Sequence, residues 1–391
     1  MDKIKQLFSA NFFTAGLAMF AMFFGSGNLI FPVGVGRVAA EQNVWAMLGL
    51  FATAILLPFF GICLMLLYNG EQEQFFQKIG IIPGKLITFA ILALIGPFGV
   101  LPRCIAFSYS TLSLYFESVN LASFAVVSCL LIFIFSYKEN DVVGIIGNFL
   151  TPILLISLAI IIFNGLRADE IETLVDNKAA AWDMVRFGFL EGYKTFDVFA
   201  ALFFASAVIP SFRNVLGEKI NDKKSLLKLA VKSSVVGGLL LFSVYCGLSF
   251  VAANLRGALT GVAGDKLLGV IATLTMGKTA GLIANSIVFL ACLTTAISLA
   301  LVSAEYIKKE VCREKISYGR SLSITMGITL VMSLLGFDGI MRMIIPVLMV
   351  LYPATIILMI VSALNYFFAF PYIKIPFYTT LLCSLMITLF F

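Results

Sequence analysis

The sequence predicts an all-α integral membrane protein of about eleven transmembrane helices, and two observations carry that prediction. The 391 residues are 61% hydrophobic and only 12% charged, with a mean hydropathy of +1.04. A soluble domain carries about 25% charged residues, so this chain has too few charges to cover a water-facing surface. Apolar runs of about 20 residues recur along the whole length, each long enough to cross a hydrocarbon layer about 30 Å thick. Transmembrane barrels alternate over about 10 residues instead, so helices are expected.

The runs place helices at about 9–32, 43–68, 85–116, 120–137, 141–165, 187–210, 226–254, 280–306, 318–336, 339–368 and 376–391. The third and tenth exceed one crossing and must tilt, bend or project. What remains is loop, the longest polar connection being 166–186 with Asp169, Glu170, Glu172, Asp176 and Asp183. The chain therefore reads as a single transmembrane domain, 1–391. Two repeats of five helices related by inversion, about 9–165 and 187–368, would leave only faint sequence symmetry, with 376–391 as an additional helix.

Charge placement sets the expected orientation. The net charge of +6 does not point to nucleic acid, because Lys and Arg sit in short loops between apolar runs. With the N-terminus in the cytoplasm, seventeen of the 27 basic residues fall inside, nine fall outside, and Arg103 lies within the third run. That excess favours a cytoplasmic N-terminus. The start of the chain, Met1-Asp2-Lys3-Ile4-Lys5, precedes a long apolar run without a small-residue cleavage site and reads as a retained first helix. The seven cysteines mostly lie inside apolar runs, without ligand spacing, and read as packed thiols. The chain contains no histidine, which removes the usual general base, proton shuttle and metal ligand. No polar catalytic cluster is evident, so no catalytic residue is assigned and an enzyme is not expected.

The informative features are interruptions. Phe24-Gly25-Ser26-Gly27-Asn28 lies inside the first run. Its glycines weaken a helix by about 1 kcal/mol each relative to alanine. One reading is close helix packing through small residues. The other is an unwound break at membrane depth, where free amides attract an anion and free carbonyls a cation. Pro32 lies near the expected helix end. The sixth run carries Glu191-Gly192-Tyr193-Lys194-Thr195-Phe196-Asp197. A carboxylate at the bilayer centre costs about 2.5–3.5 kcal/mol unless it faces protein or water. Asp197 is therefore a functional candidate, with a capping role as the alternative.

The eighth run holds Ala291-Cys292-Leu293-Thr294-Thr295-Ala296-Ile297-Ser298. Its hydroxyls either bond their own i−4 carbonyls or offer hard oxygen ligands to a small cation. Gly96-Pro97 and Pro102-Arg103 interrupt the third run, where Arg103 could pair with a carboxylate at depth. Asn148 to Pro152 kinks the fifth, and Pro346 with Pro353 bends the tenth.

Taken together, these motifs make the chain resemble the bacterial branched-chain amino acid:cation symporters of the LIVCS family over nearly its whole length. The marks are residues 24–32, Gly96-Pro97 with Pro102-Arg103, residues 147–150, residues 192–197, residues 291–296, and Pro346-Val347-Leu348 with Tyr352-Pro353. Val33 departs from a second proline common in the family, and the chain ends one span short of the usual twelve. The resemblance implies the five-plus-five inverted repeat of the sodium-coupled leucine transporter, with helices 1 and 6 broken. It implies substrate contacts from Phe24, Gly25, Ser26, Gly27, Asn28, Tyr193, Thr195, Phe196 and Asp197. It implies a sodium ion held by carbonyls near Ala21, Phe24 and Ala291 with the hydroxyls of Thr294 and Thr295. Arg103 and Ser298 would be structural or gating residues. The expected activity is sodium-driven import of leucine, isoleucine and valine across a bacterial cytoplasmic membrane, with no cofactor beyond the coupling ion and no obligatory protein partner. Alternatives are proton coupling, another neutral amino acid, a membrane sensor or a channel.

Overall fold

The computed structural model describes residues 10–116, 118–137, 142–168, 180–216 and 222–390. Lys3, Lys5, Lys138, Lys219 and the polar residues 169–179 lie outside them, as do the side chains of residues 147–151 and Arg213. The described residues are helical almost throughout. The elements are α1 (Ala10–Phe23), α2 (Ser26–Ala39), α3 (Asn43–Phe51), α4 (Leu57–Leu67), α5 (Gln72–Phe76), α6 (Ile81–Ile95), α7 (Val100–Leu112), α8 (Leu121–Tyr137), α9 (Val142–Arg167), α10 (Ala181–Tyr193), α11 (Asp197–Leu216), α12 (Lys223–Asn254), α13 (Leu267–Tyr306), α14 (Tyr318–Ser333), α15 (Gly336–Phe368) and α16 (Lys374–Phe390). By length and composition, five helical stretches among them can cross a membrane: Ser26–Leu67, Ile81–Leu112, Lys223–Asn254, Gly264–Val311 and Gly336–Phe368. Large apolar side chains such as Leu239, Ile283 and Val331 are exposed on the outer faces. Lipid is the solvent that tolerates them.

Several boundaries differ from the sequence reading, each for a local reason. The first run does not stop near Pro32: α2 continues to Ala39, with Pro32 inside it. Proline is tolerated there because neighbouring helices shield the backbone it disrupts. The third run is two helices, because Gly96, Pro97 and Gly99 end α6 and start α7. The sixth begins at Ala181, so Asp183 and Arg186 are helical rather than part of a connecting loop. The eighth begins at Leu267 and bends at Gly277, whose φ of 78° and ψ of 170° lie outside the helical region. The proline-bearing α9 and α15 each remain one helix. A π-helical turn, Ala52–Leu56, joins α3 to α4.

The interrupted helices sit at the centre. Nearly every residue of α2 is buried. It packs along α12, while α10 packs along α3, α11 along α4, and α13 against both α7 and α9. Without a hydrophobic force between helices in lipid, close approach and hydrogen bonds hold such contacts. The α3–α10 crossing illustrates this. Gly188 and Gly192, four residues apart on α10, meet Ala46 of α3 and Thr53 of the π-helical turn. A methyl at Gly188 would lie 1.8 Å from the Ala46 carbonyl oxygen, and one at Gly49 would lie 2.0 Å from that of Val185. Thr53 Oγ1 donates to the Phe189 carbonyl at 2.9 Å across the same crossing. Gly188→Ala is therefore expected to destabilise the protein by about 1–3 kcal/mol through overpacking, and Gly188→Leu to abolish the monodisperse species in detergent. Gly34→Ala is the control, since a methyl there meets nothing within 4 Å. Thermal unfolding followed by size exclusion measures both.

At the start of α12, Asp222 caps the helix, accepting from the amides of Lys224 and Ser225. The Ser225 hydroxyl, then the Lys224 amide, hold its carboxyl below the usual range.

Candidate functional site

The first break falls where the glycines predict it. α1 ends at Phe23 and α2 starts at Ser26. Between them Gly25 is extended, with φ −135° and ψ −165°. Asn28 closes the new helix start: its Oδ1 accepts from the Gly25 amide at 2.9 Å, and its own amide donates to the Gly25 carbonyl at 3.2 Å. The start of α2 thus points amides, and the positive end of a helix dipole, into the protein interior.

The second break is in the sixth run. α10 ends at Tyr193 and α11 begins at Asp197. Phe196 bridges them with φ +67°, a left-handed conformation costly for a bulky residue. Asp197 is 4% exposed. Asn28 Nδ2 donates to Asp197 Oδ2 at 2.7 Å, and the same Nδ2 contacts the Tyr245 hydroxyl. One amide therefore ties the two breaks to each other and to α12. Tyr352 of α15 accepts from the Val198 amide at 3.2 Å, in the first turn of α11. Its ring lies 4.4 Å from that of Tyr193 and 5.0 Å from that of Phe199. Phe196 faces Phe199 at 6.2 Å. These rings form an aromatic wall beside Asp197. Thr195 turns its hydroxyl back to the Gly192 carbonyl at 2.8 Å.

Arg103 differs from its expected pairing with a carboxylate. It is 1% exposed and enters no ion pair among the described residues. Nη1 donates to the Lys194 carbonyl at 2.6 Å, and Nη2 reaches the Thr195 carbonyl at 3.4 Å. The guanidinium therefore caps the carbonyl end of α10, where a helix dipole favours a cation. It stacks on Phe31 at 5.6 Å and Phe196 at 5.1 Å. Lys194 is turned away, paired with Glu191.

Across the first break, α13 brings oxygens together. Thr295 Oγ1 lies 3.4 Å from the Phe24 carbonyl and 3.2 Å from that of Ala291. Thr294 Oγ1 donates to the Ala291 carbonyl at 2.8 Å, and Ser298 Oγ to that of Thr294 at 3.1 Å. Oxygens of Phe24, Ala291 and Thr295 thus lie together beside the first break. Thr294 adjoins them but bonds within its own helix. Ala21 lies on the last turn of α1, with none of these contacts.

Several members of this constellation were invisible in the sequence. Tyr245 sits in an ordinary apolar helix. Tyr352 carries no signal in the sequence beyond the Tyr352-Pro353 motif. Cys104, buried beside the first break, has its Sγ 3.5 Å from Ser26 Oγ. Only their meeting in space marks them. A separate cavity of about 380 Å³ opens between α5, α6 and the end of α13, lined in part by Glu71, Glu73, Glu305 and Lys309, and it reaches Phe203 of α11.

The chain has counterparts among known proteins. The Bacillus subtilis permease BraB is 27% identical over 90% of this chain and 80% of its own length. The branched-chain amino acid permease BrnQ of Escherichia coli K12 is 27% identical over 91% of this chain and 81% of its own. Among solved structures, Mhp1, a nucleobase-cation-symport-1 family transporter in a closed conformation, matches with a TM-score of 0.63 at 14% identity, covering 96% of this chain and 91% of that one. Its inward-facing conformation matches with 0.58. The fold is thus of the Mhp1 type, a leucine-transporter fold with an inverted repeat. BrnQ of Corynebacterium glutamicum is 31% identical over 89% of this chain and 80% of its own. The family described as branched-chain amino acid transport protein matches residues 8–390. This chain belongs to that family of membrane permeases.

Proposed function

We propose that the protein imports leucine, isoleucine and valine by sodium-coupled alternating access across a bacterial cytoplasmic membrane, with its N-terminus inside. The observation that carries this reading is the Asn28–Asp197 hydrogen bond. It joins two broken helices whose ends have opposite polarity, beside the oxygens of Phe24, Ala291 and Thr295. A zwitterion suits paired half-helix ends, and a hard cation suits oxygen ligands. Asp197 supplies a counter-charge for the substrate ammonium. Tyr193, Phe196, Phe199 and Tyr352 supply an apolar wall for its side chain. The cavity lined by Glu71 and Glu305 gives the release path on the cytoplasmic side. The repeats are assigned to about 9–165 and 187–368, with α16 outside them.

The substrate assignment rests on family membership, and competition tests it. Labelled leucine uptake into proteoliposomes is expected to be inhibited by isoleucine and valine within about 10–200-fold of leucine itself, since apolar pockets discriminate a methylene by only about 1–3 kcal/mol. Equal inhibition by serine or lysine would overturn it. A second reading, proton coupling, is favoured by one observation: a carboxylate, Asp197, is buried at the centre of the site. A proton gradient at equal sodium on both sides separates the two.

A further inference from the structure

We infer that Arg103 binds the carboxylate of the substrate, together with the first amides of α2. The inference rests on the amino acid transport proposed above. Three observations lead to it. The guanidinium lies against the glycine-rich start of α2: a methyl at Gly27 would fall 2.8 Å from Arg103 Nη2 and 3.1 Å from the Thr195 carbonyl oxygen. Two independent sources of positive potential, a guanidinium and the amide end of a 14-residue helix, therefore share one corner. The Ser26 and Gly27 amides belong to the first turn, which has no intrahelical acceptors.

The second observation is an uncommitted donor. Nη1 and Nη2 are used by the α10 carbonyls, but Arg103 Nε is buried without a hydrogen-bond partner among the described residues. Buried donors are nearly always paired, and an acceptor that arrives with a ligand supplies the missing partner. The third is charge layout. Asp197 and Arg103 are both buried ionisable groups of opposite sign, yet they form no ion pair with each other. Asp197 is engaged by Asn28 Nδ2, which also contacts Tyr245, and Arg103 is engaged by backbone carbonyls. Two separated, unlike charges flanking the breaks complement the ammonium and carboxylate of a zwitterion. The stacking of Arg103 on Phe31 and Phe196 fixes the guanidinium for that task.

The test compares leucine with leucinol, in which the carboxylate is replaced by a hydroxymethyl group. The full-length protein in proteoliposomes takes up labelled leucine, and leucinol serves as competitor. In the parent protein leucinol is expected to bind about 10–100-fold more weakly than leucine, the loss of charge-assisted hydrogen bonds. In Arg103→Gln the half-saturating leucine concentration rises by about that factor. The inhibition constant of leucinol stays unchanged, so the preference collapses. Arg103→Lys, which keeps charge but loses the fork and Nε, falls between. Gly27→Ala displaces the guanidinium without removing it and produces the same selective loss. Should Arg103→Gln fail to give a monodisperse protein, the Lys and Gly27→Ala variants decide the matter. Equal weakening of leucine and leucinol in these variants, or an undiminished preference, overturns the assignment to the carboxylate. Absence of leucine uptake by the parent protein overturns instead the transport reading on which it stands.

Discussion

Thr295→Val is expected to remove sodium activation from leucine uptake while leaving the protein folded. Valine copies the shape of threonine and deletes only the hydroxyl. That hydroxyl is the group on α13 that faces the Phe24 carbonyl across the first break, at 3.4 Å. Its loss leaves backbone carbonyls alone to hold a cation between α1 and α13. Removing one oxygen from a charged ligand costs about 1.5–3 kcal/mol, so the half-activating sodium concentration rises by about 10–150-fold. Thr294→Val should act less strongly, because its hydroxyl is turned to the Ala291 carbonyl on its own helix. The measurement is the sodium dependence of initial uptake for both variants. If each behaves as the parent, the hydroxyls only satisfy their own helix, and the sodium site lies elsewhere.

Asp197→Ala is expected to reduce uptake by at least 100-fold, the effect of an uncompensated buried charge change of about 3–5 kcal/mol. It also removes one of the two partners of Asn28 Nδ2, the contact that joins both breaks, which costs about 1–3 kcal/mol of stability. Asp197→Asn separates the two effects. It keeps an oxygen for Asn28 and removes only the charge, so the protein stays folded and transport is still lost. Counterflow exchange of leucine, which needs no net ion movement, discriminates the reason. Loss of counterflow as well as gradient-driven uptake places Asp197 opposite the substrate ammonium. Retained counterflow with lost accumulation makes it a proton carrier.

Much of this site was readable residue by residue. Gly25 and Gly27 announced a weak helix, Asp197 announced a buried charge that needs a reason, and Thr294-Thr295 announced oxygen in an apolar run. Each is a local signal; the structure gathers Gly25, Asp197 and Thr295 around the two breaks, while Thr294 bonds within its own helix. Three features were not readable, because they depend on what meets across helices. Arg103 looked like a partner for a carboxylate, since charge in the membrane usually seeks opposite charge. Its actual partners are carbonyls exposed by the second break, and backbone groups carry no sequence signal. Tyr245 and Tyr352 are ordinary aromatic residues until the fold sets them against Asn28 and Val198. The Gly188 and Gly192 pair shows its meaning only against Ala46 and Thr53.

From the breaks in α1/α2 and α10/α11, their link through Asn28, the oxygens of α13 and the family membership we propose one claim: that an ion gradient drives a branched-chain amino acid through this protein. The most direct test is accumulation of labelled leucine in proteoliposomes under an inward sodium gradient, compared with potassium alone and with a proton gradient at equal sodium. The account predicts accumulation above the external concentration only with the sodium gradient. Accumulation that is indifferent to sodium, or that follows the proton gradient instead, would contradict it.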